Sequence, residues 1–207
     1  MQICRDMCWN ESVSLNTFIF GTFAVGFALY NNIIPFWEAI GIMSFVSMQL
    51  IEYFTWRNLK NKDINSLLSK LGLGLIFIQP LLVNTYLLPQ HVLYIFLGLY
   101  AMFAGLTITV FYPIQDIDFS MQKAANGHLS WNWLKIPTFL FIIWLCFLLW
   151  PLQYSNYYIR FILTLASAGV IYYLYKSTNT WGSMWCWIVN AVSFILITKV
   201  FAKELCY

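Results

Sequence analysis

Charged side chains are scarce: Lys, Arg, Asp and Glu make up 9% of the 207 residues, against roughly 25% in soluble domains. A soluble fold is excluded, because 61% hydrophobic and 20% aromatic content is more than one aqueous core can hide. Histidine is scarcer still, with only His91 and His128. There is no His-x-x-x-His and no Cys-x-x-Cys, so no metal is expected, and a seven-helix zinc hydrolase would need several histidines on its late helices. The cysteines, Cys4, Cys8, Cys146, Cys186 and Cys206, do not form a disulfide framework, since three of them fall near the reducing side of the membrane in the orientation given below. Cys4 and Cys8 are instead placed for S-acylation, or Cys8 for folding back against the inner end of the bundle, and Cys146 reads as a small apolar packing residue. No basic segment or small-residue cleavage site marks a removable signal peptide. Serine-nucleophile and phosphate-loop patterns are missing, and no ten-residue alternating pattern points to a barrel. No internal repeat supports a transporter built from duplicated halves. No nucleic-acid partner is expected, and the sequence leaves the cofactor unknown.

What the chain does contain is seven apolar stretches, approximately 13–31, 33–56, 66–88, 91–112, 134–151, 157–175 and 181–202. A hydrocarbon core about 30 Å thick needs about 20 such residues in a helix, and lipid offers no partner to an unpaired peptide group. The expected fold is therefore all-α: a polytopic membrane protein, one seven-transmembrane-helix bundle over 1–207, with the lipid bilayer as its first partner. Arg5, Arg57, Lys60, Lys62, Lys70, Lys123, Lys135 and Lys176 fall on the side of the N-terminus, and Arg160, Lys199 and Lys203 on the other. The positive-inside tendency then puts the N-terminus in the cytoplasm and the C-terminus outside or in a lumen. The inner connection at 113–133 is long for so small a protein. Its simplest reading is an interfacial segment anchored at headgroup depth by Trp131 and Trp133.

Polar residues inside apolar runs are the candidates for function. At about 100° per residue, Glu38, Gln49, Glu52 and Trp56 share one face of the second helix, and a carboxyl group there should look inward. Glu38 lies near the outer surface with Arg160 and Lys199, and an ion pair is expected among them. Glu52 lies near the inner surface, where Lys70 is the one nearby intramembrane cation. Gly182, Cys186, Asn190 and Ser193 form a stripe on the last helix, and Cys186 should reach the depth of Glu52. Pro80 frees a carbonyl one turn earlier, and Gln79 is read either as its repair or as a pocket contact. Gly98, Gly105 and Thr109, like Ala166, Ser167 and Gly169, read as close helix contacts. Retinal chemistry does not fit, because Lys199 is past the midpoint of its helix and the third helix has no carboxylate.

The opening Met7-Cys-Trp-Asn-Glu-Ser12, Gly127-His-Leu-Ser-Trp131 and Trp185-Cys-Trp187 resemble a group of small uncharacterised seven-helix membrane proteins of bacteria and large DNA viruses that begin Met-Cys-Trp-Ser. The resemblance spans almost the whole chain. Asn10 stands where serine is expected, and six residues precede Met7. It implies the seven-helix architecture and no particular activity. Cys8, Trp9, Gln49, Glu52, Trp56, Gln79, His128, Trp131, Trp185, Cys186 and Asn190 together suggest an aromatic and polar pocket at the cytoplasmic end. The expected function is a channel, carrier or small-molecule or lipid-binding protein. One alternative is an intramembrane enzyme on a lipid-like substrate, with Glu52 or His128 as acid/base and Cys186 as nucleophile or ligand. A structural assembly factor is the other.

Overall fold

The apolar stretches coil into helices, two of which start at an asparagine cap. The computed structural model describes residues 10–154, 158–186 and 188–205. Helix α1, Glu11–Tyr30, begins where the Asn10 side chain accepts from the Val13 N–H at 3.1 Å, which satisfies one free donor of the first turn. Helix α2, Phe36–Arg57, follows Pro35. Asn61 caps α3, Lys62–Asn84, by accepting from the Ile64 N–H at 3.2 Å. Helix α4 runs over Gln90–Ile114 and widens into a π turn at Thr107–Phe111. A short antiparallel hairpin comes next, β1 (Met121–Lys123) with β2 (Leu129–Trp131). Helices α5, Thr138–Leu149, and α6, Tyr158–Tyr175, lead to α7, Trp181–Cys186, and α8, Val189–Leu205. Between α7 and α8 the Ile188 N–H reaches back three residues to the Trp185 carbonyl at 2.9 Å, and Trp181–Lys203 together forms one membrane-length stretch of helix, as expected.

Glu11–Tyr30, Lys62–Asn84, Gln90–Ile114 and Trp181–Lys203 are long and apolar enough to cross a membrane. The packing is inverted relative to a soluble protein. Ile19, Phe23, Leu67, Leu99, Met102 and Phe194 are exposed, whereas Gln49, Glu52, Thr55, Ser69, Gln79 and Asn84 are buried. Such an exterior is stable against acyl chains rather than against water.

Small residues bring α1 against α2 and α8. Ser14, Thr17, Gly21, Ala24 and Ala28 are buried, and a Cβ on Gly21 would stand 2.9 Å from Val46 Cγ2; this is the close approach that lipid-embedded helices use. The glycines expected to do this elsewhere do not. Gly98, Gly105 and Gly169 have nothing within 4 Å of a Cβ position, and Thr109 is exposed. Helix α4 is held through rings instead, with Phe96, Tyr100 and Phe103 at 5.7, 5.1 and 5.5 Å from Phe147. Rings on the inward side leave the small side facing out. Cys146 also faces outward, not into a packed core as its size suggested.

Pro80 leaves the Ile76 carbonyl without its helical donor, and the Trp144 indole N–H of α5 fills the place at 3.2 Å. Gln79 is therefore not a local repair. Its amide N–H crosses to the Ser44 carbonyl of α2 at 3.3 Å.

The long connection at 113–133 departs most from expectation. Trp131 and Trp133 are fully buried and stack at 5.2 Å, so neither is a headgroup anchor. Backbone hydrogen bonds turn the segment into a plug. A tight turn, closed by the Gly127 N–H on the Ala124 carbonyl (2.9 Å) with Gly127 at φ 86°, folds β2 back on β1; only glycine takes that φ without steric cost. Asn65 then grips Met121 from both sides, its amide donating to the carbonyl and its oxygen accepting from the N–H, each at 2.8 Å. From the other flank the Asn179 amide donates to the Trp131 carbonyl at 2.6 Å, and the Tyr112 hydroxyl donates to the Trp133 carbonyl at 3.2 Å. With its peptide groups paired, the segment can carry two indoles into an apolar interior.

Candidate functional site

Three chain segments bring polar side chains to one end of the helices. Glu52 lies near the end of α2, Ser14 in the first turns of α1 and Ser183 in α7. The antiparallel run of α1 against α2 puts their opposite ends together, as the Arg57–Glu11 ion pair at 3.6 Å marks on the surface. Ser183, Gln49 and Ser14 are the polar side chains nearest the Glu52 carboxyl. Even so, Oε1 of Glu52 and both amide atoms of Gln49 complete no hydrogen bond of good geometry, and the two residues are 1% and 0% exposed. Buried polar atoms seldom stay in that condition. Lys70, the cation expected nearest, is exposed and sits over the Phe119 ring at 5.9 Å.

Cys186, one turn beyond Ser183, is close enough to Glu52 to interact with its charge. It also lines a cavity of about 40 Å³ bounded by α2, α3, α4, α5, α7 and the segment after the hairpin. Aromatic residues form half of the wall. Trp185 stands edge-on to Trp144 at 5.6 Å and to Phe45 at 6.3 Å, and Phe141 packs on Trp181 at 4.6 Å. Gln79, Thr107, Tyr112 and Cys186 are the polar residues of the lining. Thr107 opens the π turn of α4, a backbone irregularity frequent at functional sites. The volume exceeds the about 10–15 Å³ that one water needs and falls well below the about 300–1,000 Å³ of pockets that enclose drug-sized molecules. A slender group fits and a bulky one does not.

The other expected site residues scatter around this pair of features. Trp131 lies against Gly182, whose small size makes room for that indole and for Leu134. Trp56 packs on the same core. Asn190 donates to the Thr17 hydroxyl at 3.2 Å and joins α8 to α1. His128 is buried at the hairpin turn and edge-on to Tyr175 at 5.9 Å; burial lowers its pKa from the ordinary 6.5 because the charged imidazolium loses water. Cys8 and Trp9 lie outside the described residues. At the opposite end Glu38 is buried and Lys199 is exposed; the Arg160 side chain lies outside the described residues. Lys203 donates to the Asn31 carbonyl at 2.9 Å.

Sequence reasoning missed Ser14 and Ser183 beside Glu52, and Thr107, Tyr112 and Trp144 around the cavity. The serines carry no signal within an apolar run, although Ser14 is one α1 turn from the Asn10 cap. Among the described residues no three His, Cys, Asp or Glu side chains converge as metal ligands do. The chain matches no family model, no curated protein and no solved structure.

Proposed function

We propose that this is a seven-helix, multi-pass integral membrane protein, with a cytoplasmic N-terminus, that binds the end of a lipid acyl chain or a similarly slender apolar molecule beneath the inner headgroups. The aromatic cavity beside Cys186 is the observation that carries this reading. Its lining offers mainly dispersion contacts together with a few polar groups, the usual composition of a site that holds an apolar ligand. Helix α4 forms one wall and buries only 17% of its most apolar window inside the protein, so an acyl chain has a lateral way in from lipid. The enzyme alternative draws on Cys186 with Glu52 nearby, while His128 packs on Tyr175. The α2, α5 and α6 stretches complete the seven crossings in this reading. Helix α2 has the length, 22 residues, and turns its polar face inward.

Photocrosslinking tests the proposal. An acyl chain carrying a terminal diazirine, added to the protein in nanodiscs, should form adducts within Phe103–Tyr112 and Trp181–Cys186. Thr107→Trp, which fills the slot, should remove those adducts while labelling of Leu99 and Phe194 on the outer surface persists. Adducts confined to outward residues in both proteins would refute the proposal.

A further inference from the structure

We propose that Glu52, Gln49, Ser14 and Ser183 form a binding site for a monovalent cation of sodium size. The inference does not depend on the apolar cavity. The group combines a carboxylate, a side-chain amide and two hydroxyls, brought together by α1, α2 and α7. All four supply oxygen donors, a hard set that suits alkali or alkaline-earth ions over thiophilic metals. The Glu52 side chain is the single ionisable donor, so one positive charge balances it. Among the described residues no basic side chain takes that role: Lys70 lies on Phe119, and Arg57 pairs with Glu11 at the surface.

The second observation is the set of unsatisfied atoms. Gln49 is fully buried with neither amide atom hydrogen-bonded, and Oε1 of Glu52 beside it is also unpaired. A glutamine placed only for packing would be matched by a neighbour or replaced by an apolar residue of its shape. An ion held by the Gln49 carbonyl oxygen and the Glu52 carboxylate satisfies both side chains, with the Ser14 and Ser183 hydroxyls completing its shell. These residues also tie α1, α2 and α7 at one point, so an ion bound there stabilises the folded form over any form in which the three separate.

The test is thermal unfolding of the full chain in nanodiscs at about pH 8, with NaCl exchanged for choline chloride at fixed ionic strength. Raising NaCl from about 1 to about 150 mM should lift Tm by about 5 °C, for millimolar affinity. Choline should have no effect. Glu52→Gln keeps the shape and removes the charge, and should fold with no response to sodium. Should that variant fail to fold, Ser183→Ala is decisive through a rise of about tenfold in the NaCl midpoint. A wild-type Tm indifferent to sodium, an equal response in Glu52→Gln, or an unchanged midpoint in Ser183→Ala would overturn the proposal.

Discussion

Trp133→Ala is expected to cost about 3–5 kcal/mol of stability, the range for removing a large ring from a packed interior. Trp133 has no exposed surface. It stacks on Trp131 at 5.2 Å and approaches the Gly72 backbone, where a Cβ would meet its Cζ2 at 3.6 Å beside Met48 and Met121. Nothing nearby can collapse into the space, because the hairpin on one side and α3 on the other are held by their own hydrogen bonds. Trp37→Ala provides the contrast: that ring is 58% exposed, and its loss should change Tm little in nanodiscs. Differential scanning fluorimetry of both variants separates a buried plug from an interfacial belt, which predicts similar small shifts for the two tryptophans.

Asn65→Leu should be nearly as damaging, at about 3 kcal/mol. The side chain makes two 2.8 Å hydrogen bonds to one residue of the hairpin, Met121, and leucine leaves a buried N–H and a buried C=O unmatched at about 1–3 kcal/mol each. The consequence should be local as well as global. Limited proteolysis of Asn65→Leu should cut within 115–130 under conditions that leave the parent intact. Asn61→Ala removes only a helix cap on the same turn and should cost about 1 kcal/mol without exposing the hairpin. Equal proteolysis of both variants would mean that Asn65 does not latch this segment.

These two residues show where sequence was informative and where it was not. The helices were legible because a run of about 20 apolar residues has few other solutions in lipid. The inward face of α2 was legible because Gln49 and Glu52 stand three residues apart, on one side of a helix. Trp131 and Trp133 were not, since a tryptophan near a membrane surface looks the same in sequence whether it anchors or fills. The Asn126-Gly127 dipeptide was the available signal for a turn, but the flanking strands are three residues each, too short to alternate visibly. Asn65 stands at a helix start, where asparagine is common for local reasons. Its long-range role depends on a partner 56 positions away. Gly98 and Gly105 misled because spacing alone does not tell which side of a helix meets protein and which meets lipid.

The hairpin, the Glu52 cluster and the aromatic cavity act together only if they lie beneath one membrane surface with the cytoplasm behind them. Side-specific thiol labelling in a cysteine-free background tests this directly, with single cysteines at Ala125 in the hairpin turn, His91 ahead of α4 and Lys203 near the end of α8, all of them exposed. Seven crossings with a cytoplasmic N-terminus require His91→Cys and Lys203→Cys to react with an impermeant reagent on intact cells. Ala125→Cys should then react only after the membrane is opened. Labelling of Ala125→Cys from outside, or of all three positions from the same side, would contradict the arrangement.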